Sequence, residues 1–195
     1  MNQFEKTIKI CIQTELGTIE AVLYSERAPI TVANFVKNIE SGLYHGGHFY
    51  RAARNENYVR PNNDKISVIQ GGKSEEKRPP SPIAHESTRI SALSHTDGIL
   101  SMARNDHGTA DTEFFICIGD NFLLDHLDSD NDSEVLPGYA AFGSITKGMD
   151  TVREIHSMET GSRRIGAWEK GWAPNWILPQ LLNESVKISG VVVSG

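Results

Sequence analysis

Phe49-Tyr50-Arg51 places a planar, permanently charged donor fork directly after two aromatic residues, and Gln70-Gly71-Gly72 places an amide ahead of two glycines. Such groups hold and polarise a polar ligand by hydrogen bonding. An arbitrary strand arginine is ordinarily a solvated surface residue, and Gln-Gly-Gly is also a common strand-end turn, so neither piece decides alone. Other spacings fall away on inspection. Asp128, Asp130 and Asp132 alternate as in a calcium loop, but position six is Ser133 and position twelve Tyr139, which excludes an EF-hand and leaves a solvated acidic loop. His45 and His48 flank two glycines without an accompanying carboxylate or cysteine cluster, so no metal site is expected. No nucleophile elbow, phosphate-cradling glycine loop or paired-cysteine zinc pattern occurs, which removes hydrolase, nucleotide-binding and zinc-finger readings.

The elements that would position these residues are short strands. Runs rich in β-branched residues at 7–14 and 17–24 read as an opening hairpin around Glu15-Leu16-Gly17, followed by candidate strands at 49–53, 66–70, 99–104, 114–118, 140–145 and 186–193. Val32, Phe35, Val36 and Ile39 recur at helical spacing over 31–41, with Thr31 as the expected N-cap; Val152, Ile155 and Met158 mark a second helix at 149–158. Eight strands and two helices predict a mainly β fold, a closed antiparallel barrel capped by the two helices. One domain over 1–195 is expected, with long insertions at about 53–65, 126–138 and 161–182, the last holding all three tryptophans.

The formal charge of −6 argues against sequence-independent nucleic-acid binding. Cys11 and Cys117 sit in apolar runs and read as buried thiols. No apolar run reaches membrane-spanning length, and the first residues lack a leader's basic and apolar segments; a cytoplasmic protein is the default, a periplasmic one if a leader had been removed.

Several separated pieces resemble the cyclophilin family in its order: Gly17-Thr18-Ile19, Ala28-Pro29 with Asn34-Phe35, Phe49-Tyr50-Arg51, Gln70-Gly71-Gly72, Gly98 to Ala103, Phe114-Phe115-Ile116, Leu124-Asp125, and Phe142-Gly143 with Lys147-Gly148-Met149. The resemblance implies a peptidyl-prolyl cis-trans isomerase acting on proline-containing peptides or unfolded segments. That reaction needs no cofactor: an apolar pocket holds the proline ring, donors fix the flanking carbonyls, and a cation favours a decoupled imide nitrogen. By the same resemblance Arg51 is the catalytic cation. Phe49, Val68, Gln70, Glu113, Phe115, Leu123, Leu124 and Tyr139 are implied as substrate-binding residues, and Ala103 and Arg104 as the backbone that pairs with the peptide.

The chain departs from the family in Ser67 and Val68, where an aromatic residue and a methionine are usual, in Leu123 for a frequent tryptophan, and in Glu113 for a glutamine. The pocket is therefore expected to lack an aromatic wall and to bind cyclosporin-like ligands weakly. A Glu113–Arg104 ion pair is expected to offset the new carboxylate. The alternative these departures support is a peptide-binding or chaperone module with little catalytic power. A monomer is expected.

Overall fold

The computed structural model describes residues 6–58, 65–128, 137–161 and 176–194. Strand alternation builds the first hairpin. In β1 (Thr7–Thr14) Ile10 and Ile12 are buried while Lys9 and Gln13 face water, and in β2 (Thr18–Tyr24) Ile19, Ala21 and Leu23 point inward. The remaining strands are β3 (Gly47–Ala53), β4 (Val68–Gly72), β5 (Ile99–Met102), β6 (Phe114–Cys117), β7 (Ala140–Lys147) and β8 (Leu181–Ser194). They close a wholly antiparallel barrel in the order β1-β2-β7-β5-β6-β4-β3-β8.

The strand period of two divides the apolar side chains into two populations. One cluster contains Ile69, Leu100, Phe114, Ile116 and Phe142 and is joined by α1 (Pro29–Glu40) and α3 (Met149–Ser157), so it is the barrel interior with its helical caps. Their strand neighbours Val68, Ile99, Phe115, Cys117 and Ala141 belong to a second cluster on the outer face. Phe35 of α1 anchors the interior, its ring centroid 5.4 Å from Phe114, 4.9 Å from Phe142 and 5.0 Å from Tyr44. Such aromatic pairs add about 0.5–1.5 kcal/mol each beyond simple burial.

The helix α1 starts two residues before the expected position. Pro29 takes its first turn, where a missing N–H removes nothing, and Ala28 offers no capping side chain. Glu86 serves instead: its carboxylate accepts from the backbone N–H of Ile30 and Thr31 at 3.1 and 2.8 Å and from the Thr31 hydroxyl at 2.8 Å. Thr31 therefore lies inside the helix and is not its cap. Glu86 also sets a negative charge at the positive end of the helix.

Other elements differ from expectation, β4 among them, which runs two residues later than 66–70. β8 begins at Leu181, five residues before 186, because its first part pairs with β3 through Arg51 and Leu181. β5 stops at Met102, short of 104. A one-turn helix α2 (Thr88–Ser91) follows Glu86; four residues are too few to leave a periodic signal.

Of the three long insertions, the described parts are 53–58 with Lys65, 126–128 with 137–138, and Gly161 with 176–182. The first is pinned to the end of α3, where Arg54 donates to the carbonyls of His156 and Met158 and to the Thr160 hydroxyl. Asp130, Asp132, Ser133, Trp168 and Trp172 lie outside the described residues.

Candidate active site

The site is written across five strands by register. Arg51 of β3 pairs with Gln70 of β4, Gln70 with Phe115 of β6, Phe115 with Ser101 of β5, and Ser101 with Ala141 of β7. These register mates share the outer face because each alternates with an interior neighbour.

Arg51 reaches that face only through a bulge. Phe49 pairs with Gly71 and Arg51 with Gln70, so Tyr50 has no register partner across β4. Regular alternation from the interior Phe49 would turn Arg51 inward. The extra residue shifts the parity, Ala52 takes the next interior place, and Arg51 is aimed outward beside Tyr50.

Two amide oxygens grip the guanidinium. Arg51 Nη1 donates to Gln70 Oε1 at 2.6 Å, while Nε and Nη2 donate to Gln180 Oε1 at 2.9 and 2.7 Å. The Arg51 residue is only 8% exposed and Gln180 is fully buried. A fork held at three nitrogens cannot swing without breaking bonds to β4 and to the turn before β8, which fixes the direction of its charge. The indole of Trp176 lies 5.6 Å from the guanidinium carbon, within the range of a cation–π contact.

The chain of bonds continues away from Arg51. Gln70 Nε2 donates to the Tyr50 hydroxyl at 2.7 Å, and that hydroxyl donates to Glu113 Oε2 at 2.8 Å. Each member thereby fixes the orientation of the next, since Gln70 must present its oxygen to Arg51 and its nitrogen to Tyr50. Gly72 makes room for the Glu113 carboxylate, because a Cβ at that position would collide with it. Burial pushes the Glu113 carboxyl up from its ordinary value; the Tyr50 bond and Lys73 oppose the rise, and Asp111 adds to it. The Tyr50 hydroxyl is pushed well up by burial and by Glu113.

The structure brings together most of the residues expected at the site. Val68, Phe115 and Leu124 form the outer cluster, and Ala103 and Tyr139 pack against it, the Tyr139 ring meeting Phe115 edge-on at 5.5 Å. Arg104 lies over Tyr139 at 4.7 Å and donates to the Gly138 carbonyl at 2.7 Å. The Ala103 N–H donates to the Glu113 carbonyl at 2.8 Å.

Other expectations are corrected. Phe49 does not face the outer surface: it is fully buried in the barrel interior, edge-on to Phe114 at 5.6 Å, because it precedes the bulge. Glu113 does not pair with Arg104, since Tyr50 takes its carboxylate and Tyr139 with Gly138 takes the arginine. Leu123 stands outside the cluster on a single 3-10 turn (Phe122–Leu124), 50% exposed beside Phe122 at 53%. The Ser67 hydroxyl is turned to His156 of α3 at 3.1 Å.

Two parts of the site carried no sequence signal. Gln180 and Trp176 fall in a stretch without periodicity, and only the register of β8 against β3 reveals their place. Beneath Phe115, buried His95 stands between Asp125 and Ser101, with Nδ1 2.6 Å from Asp125 Oδ1 and Nε2 2.9 Å from Ser101 Oγ. The connectivity is that of a hydrolytic triad, but Ser101 is fully buried and no substrate reaches it. Its work is structural: the imidazole stacks on Phe115 at 5.8 Å with planes 19° apart and braces the floor of the site.

A closed barrel with a rigidly held guanidinium beside an outer apolar surface suits the class of protein that holds a polar backbone beside an apolar ring. Comparison with known proteins gives the same class. The family described as cyclophilin type peptidyl-prolyl cis-trans isomerase/CLD matches residues 9–170. The peptidyl-prolyl cis-trans isomerase of Acinetobacter baylyi is 36% identical over 156 residues, 77% of this chain and 73% of the relative. Peptidyl-prolyl cis-trans isomerase A of Dickeya dadantii is 33% identical over 156 residues, 77% of this chain and 72% of the relative. Among solved structures, a cyclophilin-type isomerase of Cryptosporidium parvum matches with a TM-score of 0.67 at 19% identity, covering 97% of this chain and 99% of that one; it speaks for the fold. The chain belongs to the cyclophilin-type peptidyl-prolyl cis-trans isomerase family, and rotation about X-Pro bonds is its activity.

Proposed function

We propose that Arg51 is the catalytic cation of this isomerase and that Val68, Phe115 and Leu124 form the surface on which the substrate's proline ring rests. The observation that carries the reading is the grip of Gln70 and Gln180 on the guanidinium, two register steps from Phe115. The barrier to imide rotation is about 18–20 kcal/mol because the nitrogen lone pair is conjugated with the carbonyl. A guanidinium N–H directed at that nitrogen competes for the lone pair, and every 1.36 kcal/mol of preferential stabilisation of the twisted state gives about tenfold in rate. The oxygens of Gln70 and Gln180 are neutral acceptors, so they orient the fork without adding an opposing charge.

Substrates are proline-containing peptides and unfolded segments; a structure of the Cryptosporidium parvum relative was determined in the presence of the dipeptide Ala-Pro. With Leu123 exposed and Ser67 turned to α3, cyclosporin-like ligands bind weakly. The protein is a monomer, a reading supported by the closed barrel, in which every strand has two neighbours and no edge is open to a second chain.

The test is the cis-to-trans relaxation of a chromogenic Xaa-Pro peptide with wild type and Arg51→Ala. Acceleration by wild type and its loss in a folded variant support the assignment. A folded wild type that binds such peptides but leaves their relaxation unchanged overturns it in favour of a peptide-binding module.

A further inference from the structure

Trp176 and Gln180 lie beyond the family match, which ends at residue 170, yet both touch the centre of the site. They belong to a tight turn leading into β8. Leu178–Gln180 form a 3-10 turn in which the Gln180 N–H donates to the Ile177 carbonyl at 2.9 Å. The Gln180 side chain binds both ways, accepting from Arg51 with its oxygen and donating to the Trp176 carbonyl with its nitrogen at 2.8 Å. One fully buried amide thus fixes the arginine and the backbone that carries the indole. The Trp176 ring packs against the cluster that contains Val68, Phe115 and Leu124, with the Tyr58 ring 6.3 Å away and near edge-on. The position at which the resemblance leads one to expect an aromatic wall holds Ser67, whose hydroxyl faces His156. A large flat ring does stand at this surface, delivered by a different part of the chain.

We propose that this turn is a working part of the isomerase site: Gln180 is a positioning residue for Arg51, and Trp176 is a wall against which the substrate's proline ring is held. The inference rests on the assignment of Arg51 given above. It goes beyond that assignment in making residues outside the family match responsible for rate and for substrate affinity separately. Gln180 acts on the twisted state through the aim of the guanidinium, and Trp176 acts on binding through apolar contact with the pyrrolidine ring.

The experiment measures kcat and KM for Xaa-Pro relaxation in wild type, Arg51→Ala, Gln180→Leu, Gln180→Glu, Trp176→Ala and Trp176→Phe, with near-ultraviolet circular dichroism to establish folding. Gln180→Leu is expected to lower kcat about tenfold with KM within about twofold of wild type. Gln180→Glu keeps an acceptor for Arg51 but sets a carboxylate against its charge and gives up the bond to the Trp176 carbonyl, so kcat stays low in the folded variant; wild-type kcat in it would mean that a neutral acceptor is not needed. Trp176→Ala is expected to raise KM about tenfold with kcat little changed, and Trp176→Phe to recover most of that loss. Wild-type kcat and KM in folded Gln180 and Trp176 variants would overturn the proposal while an inactive Arg51→Ala left the catalytic assignment standing. A lower KM in Trp176→Ala would also overturn it, since the ring would then be an obstruction. If Gln180→Leu or Trp176→Ala fails to fold, Gln180→Glu and Trp176→Phe decide by the same split. An active Arg51→Ala overturns the catalytic assignment itself.

Discussion

The Tyr50 hydroxyl donates a hydrogen bond to Glu113 and accepts one from Gln70, so the amide that steadies Arg51 is itself steadied by a phenol. Tyr50 is also the bulged residue that turns Arg51 outward. Backbone and side chain of one position therefore serve the same guanidinium by separate means.

Removing the hydroxyl separates them. Tyr50→Phe keeps the bulge but leaves Gln70 Nε2 without its acceptor and the Glu113 carboxylate without its donor. The loss of an oriented hydrogen bond, about 1 kcal/mol, predicts a fall in kcat/KM of about fivefold with the fold intact. Peptide relaxation assays check this; unchanged kcat/KM would show that Gln70 holds its orientation unaided.

Glu113 predicts a pH-dependent stability. Burial raises its carboxyl pKa, so the folded protein binds this proton more readily than the unfolded chain does. The contribution of this group to stability therefore falls as pH rises from the ordinary carboxylate range through the raised value. Glu113→Gln is expected to raise Tm at pH 7 by about 2–4 °C, with the gain shrinking as pH falls through the raised value and below the ordinary carboxylate range. Thermal melts across that interval test the sign.

The role proposed for Arg51 calls for arginine specifically. A lysine ammonium is a single point on a flexible stem and cannot span the oxygens of Gln70 and Gln180 together. Arg51→Lys is expected to retain the fold and lose about 10²–10³-fold in kcat/KM, the scale set by removing one preorganised donor from a transition state. Activity near wild type would mean that charge alone, without the fork, suffices.

Asp125 predicts the opposite pH behaviour to Glu113. Burial pushes its carboxyl up, but the hydrogen bonds from the His95 side chain and backbone and the Ser94 hydroxyl outweigh it, and the carboxyl ends below its ordinary value. Its stabilisation is complete above the unfolded-state value and is lost as pH falls through the lowered one. Asp125→Asn is expected to be about 1 kcal/mol less stable than wild type at pH 7, with the difference closing in acid. Denaturant titrations at both ends of the range measure it.

The barrel was legible in the sequence because its signals are local. Ile10 and Ile12, or Ile19, Ala21 and Leu23, alternate over a few residues, and Phe35 with Ile39 repeats at helical spacing. Arg51, Gln70 and Phe115 were found through short motifs that sit at strand positions. What escaped depends on pairing between distant segments. Nothing in Phe49-Tyr50-Arg51 announces a bulge, so Phe49 was expected at the site when its side chain lies in the interior. Glu86 caps a helix 55 residues away from it in sequence at Thr31, and Gln180 meets Arg51 across a separation of 129. Such contacts follow from barrel closure, which no window of sequence contains.

The bulge at Tyr50 makes the site sensitive to strand register in a way that it is not sensitive to composition. At the present residue count, regular pairing of β3 without the bulge would turn Arg51 into the interior, so the direction of the guanidinium would be lost while every motif residue remained in the chain. Lengthening the connection after Ala53, as the segment anchored by Arg54 does, leaves that parity untouched. The chain can therefore grow after Ala53 without turning Arg51 from the outer face.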